Sequence, residues 1–528
     1  MRNSVSRAEK TAFIIILFIA SVFACAVLGF IFSLPIGLFT ILIPAAAMLI
    51  YGVCRDKEFF IIFLCVLIFL AAASWLCSYF YDVSFDGMAF HKEAVIALGE
   101  GWNPLRSGSV ETDEFAGYIN NYKWIDNYPK LAWTFSAYVY KISNVLESAK
   151  SLNFLLLAAL FFIAFDLFKH LFGKAKAVLF SVIVTLNPVF ISQLFTFCND
   201  LSVGAYLVMC ALVFVKTAIG KDTRLTYPLL FLLIASGCNI KFTMLPFLGL
   251  CAVIFFFMML KKNIAKFTAY VAAAFIAGVL ILGFDPYAKH LLDGKHLFYP
   301  IMGEGGVDII NTNPPDSIAN RSQIERFLIS TFSKTENDVD AQNINLKIPF
   351  AIYQSELKYY GETDIRLGGF GVWFSGIFLL SLLCLIFFSK KKFNMFLIPI
   401  TAFAILAVFF PETWWARYNP YIYYIPVFIL CLDYDKTVWS RVFRGAAVFA
   451  LLANSVLMLV LGVGYFKGEN DSVNARLAEL RDKKIDVRFN DFPSHRKWLS
   501  ENHIEFNVVN LGTDDMLIFW RNTKYRVN

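Results

Sequence analysis

Charge is scarce in this chain. Asp, Glu, Lys and Arg supply only 16% of its 528 residues, 58% are hydrophobic, and the mean hydropathy is +0.61. A single soluble core is excluded, because one core cannot hide that much apolar surface. The six histidines are scattered, and no His/Cys pair has helical or knuckle spacing, which argues against a zinc centre. No Gly-Lys-Ser/Thr loop is present to cradle a nucleotide's phosphates. The ten cysteines (Cys25, Cys54, Cys65, Cys77, Cys198, Cys210, Cys238, Cys251, Cys384 and Cys431) lie in or beside apolar runs. The long hydrophilic segments have none, so a disulfide framework is not expected. The net charge of +7 comes from short basic clusters between apolar runs, the pattern of topology determinants rather than of a nucleic-acid face. No internal repeat of the kind that marks many secondary transporters is visible.

What fills the chain instead is a succession of apolar runs of roughly 17 to 25 residues, each long enough to cross about 30 Å of hydrocarbon. The first, Thr11 to Phe32, follows Arg2, Arg7 and Lys10; it is too long for a signal-peptide core and reads as a retained anchor. With the basic N-terminus cytoplasmic, spans are expected near 11-32, 35-53, 59-81, 151-170, 177-197, 201-218, 226-240, 243-260, 266-284, 368-389, 394-410, 419-434 and 445-465. Every basic cluster then falls on the cytoplasmic side: Arg55 and Lys57; Lys169, Lys174 and Lys176; Lys216, Lys221 and Arg224; Lys261, Lys262 and Lys266; Lys390, Lys391 and Lys392; and Lys436, Arg441 and Arg444. That assignment requires the helix near 129-147 not to cross. Leu131, Phe135, Val139, Ile142 and Leu146 share one of its faces while Ser136, Tyr140 and Ser143 fall elsewhere, the pattern of an in-plane interfacial helix.

The expectation is an all-α polytopic membrane protein of about thirteen spans, divided at 1-466 and 467-528, with a small α/β segment outside the membrane at its C-terminus. Three hydrophilic segments share the outer face: 82-128, extended by the interfacial helix to 150; 285-367; and 467-528. The middle one mixes Gly303-Glu304-Gly305-Gly306 with Asn313-Pro314-Pro315, flexible and stiff elements suited to a loop that folds over a site. The last pairs a charged helical stretch, Ala475 to Lys484, with strand-like Phe506-Asn507-Val508-Val509, as a small soluble cap would.

Candidate chemistry gathers on that face. Asp86 follows a span by about five residues and can take a proton from a hydroxyl, or else cap the helix that follows. Asp82 is an alternative base and His91 a substrate contact. Asp200, after Asn199, is a second carboxylate that binds hydroxyls or a cation, or caps the helix it opens. A divalent cation shared by Asp86 and Asp200 is a further possibility. Lys241 and Arg417 stand at the outer boundary, where topology does not require cations, and both suit a lipid phosphate. Glu412 lies on the same side, while Trp414, Trp415 and Tyr418 read as an interfacial aromatic belt.

The order of these elements resembles the GT-C superfamily of integral membrane glycosyltransferases, notably its protein O-mannosyltransferase and lipid A aminoarabinose transferase branch. The resemblance runs over roughly 60-260 and resumes at 409-426. It rests on Phe85-Asp86-Gly87, Gly101-Trp102-Asn103-Pro104-Leu105, Asn127-Tyr128-Pro129-Lys130-Leu131, the basic turn Leu167 to Lys174, Asn187-Pro188 leading to Asp200, and Ile240-Lys241-Phe242-Thr243-Met244-Leu245-Pro246. Two departures are plain: Gly87 stands where the family often has an acid, and Lys130 follows Pro129 instead of preceding it. The resemblance implies a GT-C-like bundle, a polyprenyl-phosphate-linked sugar as donor and transfer outside the cytoplasm; apart from the cation considered above, no cofactor is expected. It adds Lys130 to the phosphate-binding set and Tyr128 to the substrate-binding set. The acceptor expected is a cell-envelope glycan such as lipopolysaccharide or O-antigen, a glycolipid or a protein, at the periplasmic face of a bacterial inner membrane. A flippase of lipid-linked saccharides and a glycan polymerase or ligase with a diphosphate-linked donor are the rivals. Few charges lie deep in the spans, which disfavours ion-coupled transport.

Overall fold

The computed structural model describes residues 3–110, 121–258, 264–338, 343–389, 394–509 and 516–528. Each of the thirteen apolar runs contains a helix, although several of those helices are shorter than the run. Among the described residues six of these helices are long and apolar enough to cross a bilayer, including Arg7–Ile31, Lys57–Ser78 and Asp200–Ala218. Others are shorter or interrupted. Lys174–Thr185 stops before Asn187-Pro188, where the Asn187 side chain accepts the Val189 N–H and Pro188 opens the short helix Pro188–Ser192.

The residues assigned to the cytoplasmic side do meet at one pole. Asn3 donates to the Gly220 carbonyl, Lys10 pairs with Asp56 and Glu58, and Lys216 bridges Glu9 and Asp166 inside the protein. At the same pole Ser389 N–H bonds Asp433 and Asp435 N–H bonds Phe387. Lys261, Lys262, Lys390, Lys391 and Lys392 lie outside the described residues.

Two expectations are corrected. The helix near 129-147 is Leu131–Ser143, 13 residues or about 20 Å, too short to cross, but it lacks the exposed polar side expected of an amphipathic interfacial helix. Leu131 through Val139 are buried at every position, because the supposed polar side also meets protein: Ser136 Oγ donates to the Ala149 carbonyl and Lys141 to that of Gly99. The boundary at 466-467 falls within one unbroken 43-residue helix, Val438–Leu480, started by the Thr437 side chain accepting the Ser440 N–H. Midway along it, buried Asn454 takes the Trp373 N–H and donates to the Phe370 carbonyl, so its amide is satisfied inside the bundle.

Beyond that helix lie β1 (Lys484–Arg488), a helix (His495–Glu501), β2 (Glu505–Val508), β3 (Leu517–Trp520) and β4 (Thr523–Val527). They form one sheet in the order β2-β1-β4-β3, with β1 and β2 parallel around the intervening helix and the other pairs antiparallel. Ile485 and Val487 of β1 face inward with Phe492, Trp498 and Tyr525, and this core is completed by Val83, Met88 and Ala89 of the first outer loop. The sheet is thus a clamp on the segment carrying Asp86. Ser494 Oγ donates to the Met88 carbonyl, Arg521 to that of Val83, and Arg496 pairs with Glu93.

Candidate functional site

A cavity of about 1230 Å³ opens at the pole opposite the basic one. Its wall is apolar on one side: Phe247 and Leu250, Leu406 and Phe409, and Ile301 and Ile309 of the middle outer loop. Phe409 is 70% exposed, so this wall reaches the outside of the bundle. The middle loop does fold over the site, contributing residues from Phe298 to Arg366 to its lining.

At the centre sits Arg417, almost wholly buried. Its Nη2 lies 2.7 Å from Asp86 Oδ2 and donates to the Tyr418 hydroxyl at 3.1 Å, while Nε lies 3.3 Å from Asp200 Oδ2 and 3.4 Å from Asp364 Oδ1. Lys241 reaches Asp200 Oδ1 at 2.6 Å and lies 4.1 Å above the Tyr418 ring. Neither aspartate caps a helix. Ser84 Oγ takes the Gly87 N–H, and Gln193 Oε1 takes the Leu201 N–H while its amide donates to Asp200. Both carboxylates are left for the cations.

Local chemistry explains the placement. Asp82 is fully buried; it accepts the N–H and hydroxyl of Ser84 and the N–H of Phe197, which sets the turn ahead of Asp86. A Cβ at Gly87 would come within 2.0 Å of Asp82 Oδ2 and 2.3 Å of Ser84 Oγ, so no acid can stand beside Asp86 here. That accounts for Gly87 at the position where the resemblance raised the expectation of an acid. Asp82 is therefore a fastener of the loop and not a base or a substrate contact. Lys130 is likewise corrected: buried, 2.5 Å from Asp285 and bonded to the carbonyls of Asp126 and Tyr128, it is not among the cavity-lining residues.

His91, Tyr128 and Glu412 do line the cavity. Burial lowers the His91 pKa to about 3, and Trp133 Nε1 donates to its Nδ1 at 2.7 Å, so the ring is neutral with its remaining proton on Nε2. Tyr128 stacks on Trp133 at 5.5 Å. Glu412 is buried with Asn313 as its side-chain partner at 3.2 Å, and burial pushes its pKa up to about 7. Trp414 and Trp415 are not a lipid-facing belt. Both are buried, and Trp415 Nε1 donates to Asp364 at 2.9 Å.

Asp364 and Arg366 were missed. Arg366 pairs with Asp364 at 3.0 Å and lies 4.1 Å over the Trp415 ring. Backbone bonds from Ala416 N–H to Arg366 and from Arg417 N–H to Ile365 set this strand-like segment beside Arg417. The acid-x-base alternation of Asp364-Ile365-Arg366, just ahead of a span, was the available signal, since residues two apart in extended chain share a face.

No family model matches the sequence, and no curated protein matches it. The chain is similar to a solved structure. That is the crystal structure of ArnT from Cupriavidus metallidurans bound to undecaprenyl phosphate, 11% identical, with 79% of each chain covered and a TM-score of 0.46. The chemistry follows from this chain's own side chains. A resident cation does not fit between Asp86 and Asp200, because the Arg417 guanidinium stands there. Among the described residues no group of three metal-binding side chains assembles.

Proposed function

We propose that the protein is a glycosyltransferase that moves a sugar from a polyprenyl-phosphate donor to a hydroxyl of a cell-envelope glycan, glycolipid or protein, at the periplasmic face of a bacterial inner membrane. One observation carries the reading: a single cavity joins an apolar wall that reaches the outside of the bundle to a buried centre of paired acids and bases. The apolar wall suits a prenyl chain, and Arg417 with Lys241 suits its phosphate.

The partners around Arg417 divide the roles. Asp200 is 5% exposed and held by Lys241 and Gln193, so it positions the cations; Asp364 is spent on Arg366 and Trp415. Asp86 is 26% exposed, with Arg417 as its one ion-pair partner among the described residues. A donor phosphate competing for Arg417 frees that carboxylate to take the acceptor hydroxyl's proton. The deprotonated oxygen attacks the anomeric carbon, and the bond to the phosphate oxygen breaks. Charge that builds on the leaving phosphate meets Arg417 and Lys241 in a desolvated setting, where fixed cations act most strongly. His91 Nε2–H and Glu412 are further contacts for the sugar or phosphate.

The test is Asp86→Asn in purified protein with polyprenyl-phosphate sugars supplied in detergent. Turnover falls about 10²- to 10⁴-fold while undecaprenyl phosphate still binds. Full turnover removes Asp86 as base, and absence of any product from wild type in micelles favours a flippase. Arg366 supports a second reading, a diphosphate-linked donor: its Nη1 is buried without a hydrogen-bond partner among the described residues, beside Arg417.

A further inference from the structure

The cavity has a second polar end, beneath the sheet, which the donor reading does not use. We infer that it is a saccharide-binding subsite that seats the acceptor; this rests on the glycosyl-transfer reading of the same cavity. Three parts of the chain, far apart in sequence, supply its lining: Asn337 and Glu362 from the middle outer loop, Tyr465 and Glu469 from the long helix, and Trp520 at the end of β3 with Arg521 of the turn that follows. Flat aromatic faces receive the C–H side of a sugar ring, while carboxylates and an amide take its hydroxyls. A lipid tail asks for the opposite lining, which the far end of the cavity provides.

The arrangement is built rather than incidental. At Gly361 a Cβ would come within 2.4 Å of the Tyr465 Cβ, so only glycine lets the loop bring Glu362 against the long helix. Glu362 is held by the Asn337 amide at 2.9 Å, and burial raises its pKa. Arg521 donates to the Val83 carbonyl at 2.8 Å, tying the turn to the loop that carries Asp86. Glu469 is half-buried, and no hydrogen bond or ion pair engages its carboxylate among the described residues. The charge of Arg521 favours its ionised form, but a carboxylate half withdrawn from water with no hydrogen-bond donor is costly, and sugar hydroxyls relieve that cost. Acceptor hydroxyls bound here would meet the cavity on the Asp86 side, opposite the apolar wall.

Full-length protein in nanodiscs, applied to an array of mono- to trisaccharides and to an array of Ser/Thr peptides, tests this. Undecaprenyl phosphate binding is measured separately for wild type, Glu469→Gln and Trp520→Ala. Saccharides are retained, either variant weakens retention about tenfold or more, and undecaprenyl phosphate affinity is unchanged. Linking the retained saccharide to a lipid anchor separates a free glycan, which the anchor leaves unaffected, from a glycolipid headgroup, which it tightens. Retention of peptides alone, of no saccharide, or equally by all three proteins overturns the subsite. Saccharide retention without undecaprenyl phosphate binding leaves it standing and removes the donor reading.

Discussion

At Arg417 three carboxylates compete for one guanidinium, and the balance of charge there governs what the site can hold. Arg417→Lys keeps the charge but loses the planar fork, so kcat/KM for the proposed donor drops about 10²-fold or more, with Asp86 and Asp364 each deprived of a partner. Steady-state kinetics read this directly. Glu412 gives a pH signature. Its pKa rises from an ordinary 4.5 to about 7 in the fold, so the native state holds that proton more tightly than the unfolded chain. Stability is full below about pH 4.5 and is lost as pH rises through about 7. Thermal melts of Glu412→Gln between about pH 5 and pH 8 therefore fall less than those of wild type. Asp86, Asp200, Lys241 and Arg417 were legible because isolated charges at the ends of apolar runs demand a reason. Asp364 was legible only as one charge of a local acid-x-base alternation, since its nearness to Arg417 depends on a backbone pairing across some fifty residues.

Among the elements, the first outer loop and the sheet hold each other through a buried polar knot. Glu147 Oε1 lies 2.7 Å from Lys92 and accepts the Trp498 indole N–H at 2.7 Å, while Oε2 meets Lys150 at 2.5 Å and the Asp82 N–H at 3.1 Å. Lys92 also lies 4.4 Å over the Trp498 ring. Removing the acid strands two buried ammonium groups, so Glu147→Gln costs about 3 to 5 kcal/mol. Trp498→Phe loses one hydrogen bond and costs about 1 to 3 kcal/mol. Denaturation in detergent, monitored by circular dichroism, separates the two. This knot also explains a misreading. The periodicity of 129-147 correctly places Phe135 and Val139 inward, but Ser136 is covered too, because residues 146-151 fold back over it. A polar stripe marks a solvent or lipid boundary only when no second layer of protein lies on it.

Across the whole molecule the bundle has two unlike ends. The basic pole is knitted by Lys10, Lys216, Glu9 and Asp166, and the other carries the cavity and the sheet. Run length alone located the apolar helices, since crossing hydrocarbon sets a minimum that a sequence displays openly. The clamp of the sheet on Asp86's loop stayed hidden because it joins residues some four hundred apart. Arg526 and Arg441 are both exposed, one on β4 and one near the basic pole. In intact cells a membrane-impermeant maleimide labels Arg526→Cys above the background of native cysteines and leaves Arg441→Cys unlabelled; equal labelling would contradict the two-pole arrangement.

The 43-residue helix Val438–Leu480 is about 65 Å long, roughly twice the thickness of a bilayer's hydrocarbon core. One end is anchored among the basic residues and the other carries the sheet, so the helix acts as a ruler. The height at which Trp520 and Arg521 stand above the lipid is set by its pitch, not by loop flexibility. Thicker bilayers must tilt this rod or draw its upper turns inward, lowering the end of the cavity that Trp520 and Arg521 line. Lipid chain length therefore tunes how the cavity meets the membrane surface even when every residue lining it is intact.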